Sequence, residues 1–142
     1  MVRKGEQKDI PFVTETEERI FSDPWGREDV AAYLTAPHLR LWVFDVDGKA
    51  VGYLLGSVIP PEGEIYRVAV LPEARGQGAG EALCCALLSE CALVYLEVRK
   101  GNRPARTLYE KIGFSLTGER KNYYKNPTED ACLYRWEGSA CE

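Results

Sequence analysis

Histidine is all but absent from this chain. The single one, His38, stands apart from the five cysteines, no C-x-x-C pair occurs, and no metal-ligand spacing is present. The sequence therefore argues against a zinc site, and no metal is expected. Long apolar runs are missing as well. No segment reaches membrane-spanning length, and Met1 to Glu6 lack the apolar stretch of a secretory signal, so a soluble, cytoplasmic protein is expected. The cysteines (84, 85, 91, 132 and 141) are odd in number, and Cys84 and Cys85 lie in an apolar segment, where Cys acts as a small hydrophobe. A reducing compartment fits them. There is no excess of positive charge either: 18 Lys and Arg stand against 22 Asp and Glu, for a net charge of −4. That removes any global attraction to nucleic acid or to an anionic membrane.

What remains is ordinary globular material, 142 residues with 45% hydrophobic and 28% charged residues. No repeat, linker or composition break divides it, so one domain over residues 1–142 is expected. The basic residues crowd the stretch from Arg99 to Lys125, while acids dominate the first half. That asymmetry reads either as a solvated face or as a local field for an anionic ligand.

Taken in order, the chain opens on a polar stretch with at most a short strand. Ile10 to Phe21 has a thin apolar stripe that predicts a helix. Ser22, Asp23 and Pro24 break it, and Gly26 to Thr35 predicts a second helix. Leu41–Val46 and Ala50–Val58 flank Asp47-Gly48, a strong hairpin signal. A turn at Pro60–Gly63 leads to a strand from Glu64 to Leu71, ended by Pro72. A buried helix follows over 79–90, and then an apolar strand, Leu93 to Val98, expected in mid-sheet and parallel to the strand before the helix. Asn102 caps a helix over 103–112 that Gly113 stops. Phe114–Glu119 and Ala131–Trp136 read as strands, Lys121 to Pro127 as an aromatic, polar loop, and Gly138 to Glu142 as a frayed tail.

The most informative stretch joins the strand at 65–71 to the helix at 79–90. It contains Gly76, Gly78 and Gly80. Alternating glycines at a helix N-terminus let backbone N–H groups converge on an anion, favoured by the helix dipole. No Lys-Ser or Lys-Thr follows, which excludes a Walker loop, and the third glycine of a dinucleotide fingerprint is out of place. The preceding antiparallel meander disfavours both.

Arg75-Gly76-Gln77-Gly78-Ala79-Gly80 resembles the acyl-CoA signature of the GNAT N-acetyltransferases, and Asn102 with Leu108-Tyr109-Glu110-Lys111-Ile112-Gly113-Phe114 resembles their second conserved block. The order of elements is similar too. Phe21-Ser22-Asp23-Pro24-Trp25, Leu96-Glu97-Val98-Arg99, Asn122-Tyr123-Tyr124 and Glu129-Asp130-Ala131 resemble the ribosomal-protein-alanine (RimI-like) branch of that family. Arg67 departs from that branch, which often has a small polar residue there. The resemblance implies an α/β (α+β) fold, with a mixed central sheet of six to seven strands flanked by about four helices. It implies acetyl-CoA as co-substrate, held by the main chain of Val68, Ala69 and Val70, by Arg75 to Gly80 and by Asn102. It makes Glu97 the general base and Tyr109 the general acid, and implies a protein N-terminus, possibly of a ribosomal protein, as acceptor. A monomer or weak dimer is expected. Trp25, Tyr123 and Tyr124 are expected to border the peptide groove.

Each role has a plainer rival. Glu97 shares a strand face with Arg99 and could simply pair with it; Tyr109 lies on an apolar helix stripe and could simply pack; Trp25 could plug the core; Arg75 could be a surface charge. Acceptor chemistry leans one way. An α-amine has a pKa of about 7.7–8.0 against about 10.4 for lysine, a gap worth about 3.4 kcal/mol of deprotonation. One carboxylate is therefore better matched to a peptide N-terminus, although burial can lower a lysine's pKa. Acetylation of a lysine or small amine, and a non-catalytic acyl-CoA-binding module, stay open as alternatives.

Overall fold

Among the described residues, seven strands form one mixed sheet in the order β1-β2-β3-β4-β5-β7-β6. The structure, a computed structural model, describes residues 1–138, so the tail reading beyond Gly138 and Cys141 lie outside the described residues. The strands are β1 (Val2–Lys4), β2 (Leu39–Val46), β3 (Lys49–Ile59), β4 (Glu62–Val70), β5 (Leu93–Arg99), β6 (Ser115–Tyr124) and β7 (Glu129–Glu137). The helices are α1 (Ile10–Ile20), α2 (Arg27–Ala31), α3 (Ala79–Leu88) and α4 (Arg103–Lys111). The meander β2–β3–β4 is antiparallel, and β4 pairs parallel to β5 as the strand–helix–strand order requires.

The sheet is covered on both faces. Leu54 and Ile65 join Leu83, Leu87, Val94 and Trp136 in a core beneath α3 and α4. Tyr53, Leu55 and Ala69 point the other way, onto Ile10 and Val13 of α1 and Val30 of α2. Fully burying each such aliphatic side chain contributes about 1.5–3 kcal/mol, and successive strand residues divide that gain between the two faces. No helix among the described residues is long and apolar enough to cross a membrane.

Three elements differ from the expectations. The second helix is a short α2 continued by a tighter 3-10 turn over Ala32–Leu34. Helix α3 ends at Leu88, before the expected 90. The expected loop from Lys121 is in fact strand up to Tyr124, and the turn lies after it. Strand β6 is the sheet edge and almost wholly exposed, so no apolar alternation marks it. A register shift between Arg120 and Tyr124, with Asn122 at φ +52, adds to the loop-like composition.

Candidate active site

The site begins with a bulge in β4. Leu55 pairs with Arg67 but its neighbour Gly56 pairs with Ile65, which leaves Tyr66 as the extra residue. Gly56 permits the crowding: a Cβ there would lie 2.6 Å from the Glu64 carbonyl oxygen and 2.6 Å from Leu87. Before the bulge, Ile65 faces the α3–α4 core; after it, Ala69 faces the opposite core, and Arg67 reaches Phe21 and Trp25. The same kink separates the parallel strands. Pairing of β4 with β5 runs from Glu62 with Leu93 to Ile65 with Leu96 and then stops, although both strands continue. A wedge opens in mid-sheet, bordered by the main chain of residues 66–70, which pairs with β3 on one side from Arg67 onward and has no β5 partner on the other.

Two cavities meet at this wedge. One, of about 480 Å³, runs along Val68, Ala69 and Val70 to Arg75, Gly76, Gly78, Ala79 and Gly80, with α4 as its far wall. The other, of about 460 Å³, lies against Asp23, Tyr66, Arg67, Glu97, Arg99 and Tyr124. Ile20, Phe21, Val68, Asn102, Ala105 and Tyr109 line both. Gly76 and Gly78 both have φ +83, and a Cβ on either would meet nothing within 4 Å. The loop thus bares its backbone to the first cavity just before α3, whose first-turn N–H groups have no intrahelical acceptor. Gln77, in the same loop, is exposed and does not line the cavity. Arg75 lines it, with its Nε donating to the Val70 carbonyl at 3.0 Å.

Tyr109 stands where the cavities join. Its ring packs against Phe114 and Tyr134, with centroids 5.7 and 6.4 Å away, so it is both core and wall. Burial pushes its phenol well above the ordinary tyrosine value, so it is protonated throughout the neutral range. Asn102 does cap α4, its Oδ1 accepting from the Ala105 N–H at 3.2 Å, and it lines both cavities as well.

Glu97 is 29% exposed and pairs loosely with Arg120 at 3.8 Å. The Glu97 carboxylate also raises the pKa of the nearby Tyr123 phenol. Glu64, on the neighbouring strand, is raised by burial and then by the Glu97 charge. The rival pairing with Arg99 does not form. Arg99 instead donates to the Lys125 carbonyl at 2.8 Å and the Pro127 carbonyl at 2.9 Å, pairs with Glu129 at 3.3 Å, and lies 4.6 Å over the Tyr124 ring. Of the three expected groove residues, Tyr124 lines the second cavity. Tyr123 is 47% exposed beside it. Trp25 stands one layer back, stacked on Tyr33 at 5.8 Å and packed against the α1–α2 core, closer to the plug reading.

Sequence reasoning missed one participant altogether. Glu17 is fully buried, accepting from the Tyr53 hydroxyl at 2.6 Å and the Trp25 N–H at 3.0 Å, with the Arg67 Nε 3.3 Å away. The signal was available, because 10, 13, 17 and 20 follow helical spacing and place Glu17 on the buried stripe.

The acetyltransferase (GNAT) family model matches residues 10–114. The chain belongs to this family. The protein is similar over most of its length to two bacterial GNAT relatives. It is 32% identical to the ribosomal protein bS18-alanine N-acetyltransferase of Escherichia coli (strain K12), over 88% of this chain and 86% of the relative. It is 35% identical to the N-alpha-acetyltransferase RimI of Mycobacterium tuberculosis, over 89% and 85%. The crystal structure of the ribosomal-protein-S18-alanine N-acetyltransferase from Escherichia coli matches the fold with a TM-score of 0.86 at 28% identity, covering 96% of this chain and 92% of that one. The seven-stranded sheet with flanking helices is the GNAT fold that the sequence implied.

Proposed function

We propose that this GNAT protein is an acetyl-CoA-dependent Nα-acetyltransferase acting on the N-terminal amine of a protein, with an alanine-initiated ribosomal protein as the acceptor class. The observation that carries the reading is the meeting of two cavities at the β4–β5 wedge, one floored by bare loop backbone and the other by Glu97, with Tyr109 in the shared wall. The names of the relatives matched over most of the chain support the same acceptor class.

The residues present fit acetyl-CoA. The exposed backbone of Gly76 and Gly78 and the α3 N-terminus suit a pyrophosphate, and the unpaired edge of Val68, Ala69 and Val70 suits an amide-bearing arm. Asn102 borders the place where that arm would reach the second cavity. When bound, acetyl-CoA supplies a thioester acetyl group with a thiolate as leaving group. Glu97 accepts the proton of the incoming ammonium, directly or through one water. As the new nitrogen–carbon bond forms, main-chain N–H groups of the opened β4 edge stabilise negative charge on the acetyl oxygen. Tyr109 gives its hydroxyl proton to the sulfur as the carbon–sulfur bond breaks, the second proton that the nitrogen loses in becoming an amide returns to the Tyr109 phenolate, and Glu97 releases its proton to solvent.

The test is an acceptor screen that follows both thiol release and the site of acetylation. A peptide beginning with alanine should become acetylated on its α-amine. Transfer only to lysine side chains or small amines would overturn the acceptor class, and tight CoA binding without transfer to any amine would overturn the enzyme reading.

A further inference from the structure

We infer that Arg67 is a positioning residue that pins the connection between α1 and α2 as one wall of the acceptor cavity. The inference rests on the acetyltransferase reading for the identity of the acceptor. Its geometry is independent of that reading.

Residues 21–26 join the two helices, and Phe21, Ser22 and Asp23 line the acceptor cavity. Among the described residues this segment has little main-chain support of its own. The Phe21 N–H bonds back to the Glu17 carbonyl at one end; at the other, the Trp25 N–H donates to the Glu17 carboxylate, the Gly26 N–H to Asp29, and the Gly26 carbonyl accepts from Val30. The middle is held by Arg67. Its guanidinium lies 4.1 Å from the Phe21 ring centroid and 5.1 Å from that of Trp25, between the two ends of the segment. Its Nη2 donates to the Asp23 carbonyl at 2.7 Å and lies 3.3 Å from the Asp23 carboxylate. One planar cation thus touches three of the six residues.

The cation is itself fixed from below. Fully buried Glu17 lies 3.3 Å from the Arg67 Nε, too bent for a hydrogen bond, and takes its own hydrogen bonds from Tyr53 on β3 and from the Trp25 N–H. A buried carboxylate without a cation would be costly, so Glu17 and Arg67 require each other. The β4 bulge decides which face Arg67 serves. In a regular strand, with Tyr66 paired rather than bulged, Arg67 would share Ile65's face and point toward the α3–α4 core. The deformation that opens the wedge therefore also delivers the cation to the acceptor wall. Lysine cannot replace it, because stacking and a directed Nη donor need the planar guanidinium.

Arg67→Lys keeps the charge and removes the fork. Its acceptor KM should rise about tenfold or more, since a wall displaced by an ångström is enough, while the KM for acetyl-CoA and the melting temperature stay near wild type. In the same protein, hydrogen exchange at amides 21–26 should accelerate while that of α3 does not change. Arg67→Met combined with Glu17→Gln removes both buried charges and guards against misfolding of the single variant. It should show the same selective loss. An unchanged acceptor KM, or parallel rises in both KM values, would overturn the inference. If the wild type acetylates no peptide, the function reading falls, and the exchange comparison still decides whether Arg67 holds the segment.

Discussion

Ile65 and Leu96 are the last partners that β4 and β5 share. One residue later the bulge at Tyr66 turns β4, and the two strands diverge around the wedge at which both cavities end. The N–H and C=O groups that would have closed the ladder then face a ligand space. A sheet edge buried inside a fold is normally a liability, and here it is the feature that can receive an amide-bearing substrate.

The loop before α3 gives the most local prediction. Gly78 is the residue preceding α3 and has φ +83. Gly78→Ala finds empty space for its methyl group, so its cost is conformational, about 1–2 kcal/mol for a left-handed residue. Relaxation toward negative φ would turn the loop N–H groups away. Acetyl-CoA should bind roughly tenfold more weakly by calorimetry, with acceptor KM little changed.

Much of this was legible in the residues. Asp47-Gly48, the Asn102 cap and the apolar runs of β3, α3 and β5 are local signals, and local physics decides them. The loop that the alternating glycines mark, apart from Gln77, lines the 480 Å³ cavity before α3. What stayed hidden depends on long-range placement. Nothing in Glu64-Ile65-Tyr66-Arg67 announces a bulge, because the apolar alternation is too short to show a change of phase. Glu17 reads as one more acid on an acidic helix until Arg67 and Tyr53, 50 and 36 residues away, arrive beside it. Tyr123 and Tyr124 read as loop in the sequence because an exposed edge strand leaves no hydrophobic period to detect.

Stability should fall on the alkaline side earlier than in proteins with exposed tyrosines. Burial raises the phenols of Tyr53, Tyr109 and Tyr33 far above their ordinary value, which is about 10. Below that value both states are protonated and the full stability is present. Above it the unfolded chain releases protons that the native one retains, so the unfolding free energy declines as pH rises. Urea midpoints measured between about pH 8 and 11 should drop, and Tyr109→Phe should make the decline shallower.

The N-terminal strand is tied down by charge. Arg3 donates to both oxygens of Asp9, each at 2.8 Å, and to Asp45 at 2.6 Å. Its hydrogen bonds hold the Asp9 carboxyl below the usual carboxylate range. That stabilisation is complete above the ordinary carboxyl pKa and is lost as pH falls through the lowered one. Arg3→Met leaves the nearly buried Asp9 carboxylate uncompensated, a cost of about 2–3 kcal/mol. The melting temperature at pH 7 should fall by roughly 6–10 °C, and the variant's deficit should shrink in acid once Asp9 is protonated.

The two proposed proton carriers separate cleanly by experiment, because they occupy different walls. Glu97 lines only the 460 Å³ cavity proposed for the acceptor, whereas Tyr109 lines both and also belongs to the core. Glu97→Gln preserves shape and removes the proton acceptor, so kcat should fall about a hundredfold or more with acetyl-CoA affinity unchanged. Raising the pH should recover part of that loss, since more of the α-amine then arrives already neutral. Tyr109→Phe keeps the ring contacts with Phe114 and Tyr134 and removes only the hydroxyl. Its kcat should also drop, but higher pH should not restore it, because the missing proton is owed to the leaving sulfur. A thioester with a more acidic thiol should restore it instead. If both variants respond alike to pH and to leaving group, the division of labour between Glu97 and Tyr109 is wrong. If neither loses rate, Glu97 serves only its contacts with Arg120 and Tyr123, and Tyr109 only its packing.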